Sequence, residues 1–101
     1  MIRGTTPTHT FYLPFEVSFI KSGRVIYSQA GEVVFIKEIA ECALEENTIT
    51  IKLTQEETFK FDCKKGYVYI QVRLLTTGED ALASDLIRVE VEKCLDSEVL
   101  K

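Results

Sequence analysis

Two stretches of the chain alternate residue by residue. Val68, Ile70, Val72 and Leu74 interleave with Tyr67, Tyr69, Gln71 and Arg73, and Ile87, Val89 and Val91 with Arg88, Glu90 and Glu92. Successive side chains of a strand point to opposite faces, so each stretch has one apolar and one polar face. A helix cannot satisfy that pattern, because its apolar positions recur every three or four residues. The chain is therefore read as an antiparallel β-protein whose strands each turn one face to a core and the other to solvent.

The same parity runs through Phe11, Leu13, Phe15, Val17 and Phe19, with Pro14 on the opposite one. Proline lacks a backbone donor, so two short strands are expected, 10–13 and 15–20, kinked at Pro14 with the first on a sheet edge. Ser22-Gly23 reads as a turn. Strands at 24–28 and 32–37 flank Gln29-Ala30-Gly31, a loop that suits a hairpin with a bulge. Val33-Val34-Phe35-Ile36 is apolar on both parities, so two of its side chains need cover beyond a one-sided core.

Residues 38–47 fit a helical stripe (Ile39, Ala40, Ala43, Leu44) or irregular chain with a short strand, and the latter is expected between strong strand signals. Alternation resumes at Thr48–Leu53. Thr54-Gln55-Glu56-Glu57 is a capping box, predicting one helical turn before Phe59 or Phe61. Asp62–Gly66 is a polar loop, Tyr67–Leu75 the strongest strand, and Thr76–Asp80 a turn around Gly78. A last strand starts at Leu82 or Asp85 and ends near Lys93. Seven to eight short strands with one helical turn make a two-sheet sandwich, expected as a single domain over 1–101 with loose ends at 1–8 and 96–101. The expected core is Phe11, Leu13, Phe15, Val17, Phe19, Val25, Val33, Phe35, Ile49, Ile51, Leu53, Phe61, Val68, Ile70, Val72, Leu74, Ile87, Val89 and Val91.

Charge and composition narrow the functions. Sixteen acidic against twelve basic residues give a net charge of −4, with no cluster of Lys and Arg; nucleic-acid binding normally leaves a basic footprint, so no nucleic-acid partner is expected. No apolar run reaches the roughly 20 residues needed to cross a bilayer. The opening Met1–Pro7 lacks the apolar stretch of a secretory leader, and Cys42, Cys63 and Cys94 are an odd, widely spaced set. Reduced thiols and a cytoplasmic site of synthesis follow as expectations.

No catalytic, metal or cofactor site is expected. The single histidine, His9, lies in a threonine-flanked segment, and a nucleophile would need a base and an orienting group beside it. Zinc would require close ligand pairs, and the acidic groups at Glu41, Glu45, Glu46 and at Glu79, Asp80, Asp85 do not follow a calcium-loop spacing. The candidate interface residues are Tyr67, Tyr69, Gln71 and Arg73 on the outward face of the strongest strand and, separately, Val34 and Ile36, which need cover. Tyrosine and arginine are enriched where proteins dock.

The stretch from Thr48 to Lys93 resembles an immunoglobulin-type sandwich: strand, capped turn, Asp-containing loop, Gly66 before a tyrosine-bearing strand, hairpin, final strand. The segments GTTPTHTFYLPF, TITIKLTQEETFKF and GYVYIQVRLLTTGEDALASDLIRVEVEKCL resemble the short Ig-like domain of baseplate upper proteins and related tail components of phages of Gram-positive bacteria. That resemblance implies a non-enzymatic assembly module of a phage tail or baseplate, made in the host cytoplasm, carried in the virion, and acting by docking to other phage proteins; the cover that Val34 and Ile36 need and the edge strand near Pro14 add the expectation of a homo-oligomer. A small phage-encoded inhibitor of a host protein or signalling molecule is the alternative, and a carbohydrate-binding adhesin the third reading.

Overall fold

The computed structural model describes residues 1–101 as eight strands, one five-residue helix and three short 3₁₀ turns. The strands are β1 (Thr8–Tyr12), β2 (Ile20–Gln29), β3 (Glu32–Glu38), β4 (Ala43–Glu45), β5 (Thr48–Lys52), β6 (Val68–Thr76), β7 (Ala81–Ala83) and β8 (Ile87–Val89), with helix α1 (Gln55–Phe59) between β5 and β6. A smaller sheet has the order β1-β5-β4, and a larger one β3-β2-β6-β7 with β8 also on β6. Every strand pairing is antiparallel. The adjacencies β4-β5-β1 and β3-β2-β6-β7 are those of strands D-E-B and C′-C-F-G in an immunoglobulin-type sandwich.

Alternation places the core as the sequence requires. Ile49 and Ile51 of β5 and Leu53 beyond it are buried with Val25, Tyr27, Val68, Ile70, Val72 and Leu74 of the larger sheet. Tyr27, Phe35 and Phe61 form an aromatic cluster, with the Tyr27 and Phe35 rings 4.7 Å apart and stacked. Such pairs add to stability beyond the area they bury. Buried Gln29 is fully used: its amide donates to the Asp62 and Gly66 carbonyls, and its carbonyl accepts from the Asp62 N–H at 2.8 Å. The polar loop before β6 is thereby fastened to the end of β2.

The capping box forms as spelled. The Thr54 hydroxyl accepts from the Glu57 N–H at 3.1 Å, and the Glu57 carboxylate accepts from the Thr54 N–H at 2.8 Å. Losing an N-cap hydroxyl costs about 1 kcal/mol, so Thr54→Ala should lower stability by about that much in urea denaturation. Glu57→Ala should cost more, because Glu57 also forms a half-buried ion pair with Lys37 of β3. Two neutral variants would show that the turn contributes nothing.

Four local expectations are corrected. Ser22-Gly23 is no turn but lies inside β2, which runs on for ten residues with a register shift between Ile20 and Ser22. The kinked strand at 15–20 is absent: after β1, residues 13–16 are irregular and Val17–Phe19 is a 3₁₀ turn, held by the Val17 N–H on the Glu46 carbonyl at 2.7 Å. Phe19 therefore leaves the core and is 53% exposed. The last strand divides into β7 and β8, because one residue more than the register allows falls between Ala83 and Ile87. Ile87 keeps its parity opposite Ile70 but sits on the open edge and is exposed.

The fourth correction bears on function. Tyr27 pairs with Phe35 and Ser28 with Val33, so Val34 is an extra residue in β3. The bulge shifts parity, as a β-bulge must: Val34 and Phe35 both pack on the core, whereas Val33 is 58% exposed. Val34, expected on the outer face, is inside; Val33, expected in the core, is outside. The connection 38–47 is a 3₁₀ turn (Ile39–Glu41) and then β4, as its irregular reading implied, and Ile39 is buried. Among the first residues, Ile2 bridges Glu92 in parallel, and the Met1 ammonium donates to the Glu90 carbonyl at 2.7 Å. At the other end the Gln55 side chain exchanges two hydrogen bonds with the Leu100 backbone.

Candidate functional site

The two outer faces of the sandwich differ in chemistry. Cross-strand register places Thr8, Thr10, Thr48, Thr50, Lys52 and Glu45 on the outside of the smaller sheet. Tyr12 is the sole aromatic side chain in that register, at one corner. A threonine and lysine surface of this kind meets water without cost.

The larger sheet is different. One row of its outer face runs Val33, Ser28, Tyr69, Arg88; the next Ile36, Ile26, Gln71; the next Glu38, Arg24, Arg73, Ala83; the last Ser22, Leu75, Ala81. Val33, Ile36 (39% exposed) and Tyr67 (41% exposed) are open to solvent, while Ile26, Tyr69 and Gln71 are half-buried by their neighbours. Arg24, Arg73 and Arg88 on this face are exposed as well. It forms an aliphatic and aromatic band with arginines at both ends.

Of the residues singled out from the sequence, Tyr67, Tyr69, Gln71, Arg73 and Ile36 lie together here, and Val34 does not. Gln71 is also structural, since its amide donates to the Ser84 carbonyl at 3.0 Å. It steadies the break between β7 and β8, where the Ser84 hydroxyl accepts from the Val72 N–H at 3.0 Å. Arg88 lies over the Tyr67 ring, 4.4 Å from its centroid, a cation–π contact that occupies one aromatic face. Arg24, Ile26, Val33, Glu38 and Arg88 were missed as members of the site. Arg24, Ile26 and Arg88 carried a signal, the polar parity of their own strands, but strand neighbours were needed to bring them together.

An apolar groove of about 310 Å³ opens between the edges of the two sheets, where Leu13, Pro14 and Phe15 face Val72, Leu74 and Leu82. No charged side chain lines it. His9, the only histidine, lies between the sheets with its Nδ1 2.9 Å from the Tyr27 hydroxyl. Burial pushes the Tyr27 phenol well above its usual range, with Cys42 and Glu57 adding to the effect. Cys42, Cys63 and Cys94 are unpaired and half-buried; burial, then Glu41, raises the Cys42 thiol, which works against nucleophilicity. No group of three His, Cys, Asp or Glu side chains converges as a metal site.

The His9 contact has a pH signature. Burial, and then the Met1 ammonium, lowers its pKa from the usual 6.5. The unfolded chain then binds more protons than the folded one just below that value, so stability is full above about pH 6.5 and falls as the solution is acidified. Glu57 acts with the same sign further down: burial pushes it up, but Lys37 and the Thr54 hydrogen bonds outweigh that and hold it below its usual 4.5. The urea midpoint should drop between pH 7 and pH 5, and His9→Gln should flatten that interval alone. A wild-type profile flat from pH 7 to pH 5 would contradict the contact.

Compared with protein-family models, with curated proteins and with solved structures, the chain matches none. The class defined by fold and surface is an all-β antiparallel sandwich with one polar outer face and one bare, amphipathic outer face.

Proposed function

We propose that this chain is a non-enzymatic docking module that works by protein–protein contact through the outer face of its larger sheet. The observation that carries the reading is the inequality of the two faces: threonine and lysine on one, Ile26, Val33, Ile36, Tyr67, Tyr69 and arginine on the other. Docking surfaces are enriched in tyrosine and arginine around an apolar centre. The resemblance to phage tail domains supplies the setting, assembly within a tail or baseplate. A phage-encoded inhibitor of a host protein would use the same face. A sugar platform is less well served, because Arg88 covers a face of Tyr67.

Two features of the sequence favour self-association: the run Val33-Val34-Phe35-Ile36, apolar on both parities so that Val34 and Ile36 need cover, and a short edge strand near Pro14. Ile36 and the edge remain, and the bulge removes Val34. Particles purified from cells that make the protein test the setting and the face together. Wild type and Thr50→Glu should be retained in particles, and Tyr69→Glu lost. Wild type absent from particles but bound to a host protein would favour inhibition. Monomers free of any partner, for all three, would contradict docking.

A further inference from the structure

We propose that the outer face of the larger sheet receives an acidic protein segment, one that lays apolar side chains over Ile26, Ile36 and Tyr69 and presents carboxylates to Arg73 and Arg88 at either end. The inference rests on the docking reading and adds the chemistry of the partner.

The charge distribution carries it. The chain as a whole has a net charge of −4, yet the residues in register on this face include three arginines and a single carboxylate, Glu38. Arg24 and Arg73 are direct cross-strand partners, an arrangement in which like charges repel unless an anion lies near them. Glu38 reaches Arg24 at 3.4 Å. The remaining ion pairs of the chain are Lys21–Glu79 and Lys37–Glu57, so Arg73 and Arg88 have no acidic partner. A cleft of about 390 Å³ opens beside Arg24 and Arg73, lined also by Glu38, Ser22, Gly23 and Leu75.

Geometry sets what fits. The Tyr69–Arg88 row and the Arg73 row lie four residues apart along β6, about 13 Å at the usual rise of a strand. Tyr67 holds the Arg88 guanidinium in place, leaving a planar fork of donors suited to a carboxylate. A partner with acidic groups at about that spacing around apolar residues meets the band and both arginine clusters at once. A second copy fits poorly, because a two-fold axis through the Ile36–Ile26–Gln71 row sets one arginine cluster against the other. A nucleic acid also fits poorly, since base stacking needs the ring face that Arg88 covers.

The test places a photoreactive benzoylphenylalanine at Ile36 in the full chain, in the cells that make it, and sequences the cross-linked peptide. The expected adduct is one protein segment with Asp or Glu on both sides of apolar residues. The Arg73→Gln, Arg88→Gln double variant should cut its yield by at least about tenfold, with an unchanged urea midpoint showing that the fold is intact. Arg73→Glu should abolish the adduct, and changing the partner's facing acid to Lys should restore it. A segment without acids, an adduct to a second copy, or an adduct to nucleic acid would each overturn the acidic partner while leaving the face a docking surface. Folded protein that gives no adduct at all would overturn the docking reading itself.

Discussion

Ile70→Asp is expected to lower stability by at least about 4 kcal/mol, whereas Arg73→Asp, three residues along the same strand, should leave stability within about 0.5 kcal/mol of wild type. Ile70 is 1% exposed in the middle of the core cluster. A carboxylate there finds no cation, and burying an unpaired charge costs at least about 4 kcal/mol in a domain whose total stability is about 5–15 kcal/mol. Arg73 points to solvent beside Arg24, so reversing its charge removes a like-charge pair. Gln71 is the poorer control, because its amide holds the Ser84 carbonyl. Urea denaturation followed by far-UV circular dichroism decides the matter, and equal losses at both positions would mean that the strand faces are misassigned.

The second large effect is expected at Gly23, where alanine should cost about 3 kcal/mol, the upper end of the usual overpacking range. A Cβ at this position would stand 2.7 Å from the Arg73 carbonyl oxygen, 2.7 Å from Leu74 Cδ2 and 2.9 Å from Ile39 Cγ1. The oxygen belongs to the backbone of the neighbouring strand and cannot yield without breaking the β2–β6 ladder. Gly31→Ala is the informative comparison: its φ of +80° is strained for alanine, but no atom lies within 4 Å of the added carbon, so only the backbone penalty of about 1 kcal/mol applies. If Gly23→Ala proves as mild as Gly31→Ala, close packing is not the reason for the glycine.

Gly23 also shows where reading the sequence runs out. Serine followed by glycine signals a turn when only local chemistry is weighed. Here the glycine answers to three residues distant in the chain, Ile39, Arg73 and Leu74, and no local pattern contains them. Alternation in β2, β5 and β6 depends on nothing distant, so it gave the strand faces correctly. Thr54–Glu57 is likewise self-contained, because its two hydrogen bonds close within four residues. Tyr27, absent from the expected core, is fully buried, and its hydroxyl meets His9 on the other sheet, a partner that no local pattern contains.

The candidate site follows the same rule. Tyr69, Gln71 and Arg73 were legible because they belong to one strand of fixed parity, which Tyr67 immediately precedes. Their neighbours Arg24, Ile26, Val33 and Arg88 come from three other strands, whose order in the sheet is a property of the fold and not of any single stretch. Val33 and Val34 exchange places for a further reason: a bulge adds one residue on one side of a ladder, and four consecutive apolar residues give no sign of where it falls.

That exchange is the claim on which the bare outer face depends, and a paired substitution tests it most directly. Val33→Asp and Val34→Asp should be compared in urea at neutral pH. With Val33 on the outer face and Val34 against the core, Val34→Asp should cost about 2–3 kcal/mol and Val33→Asp less than about 1 kcal/mol. The reverse order, a heavy loss at Val33 and little at Val34, would restore simple alternation through β3 and contradict the face described here.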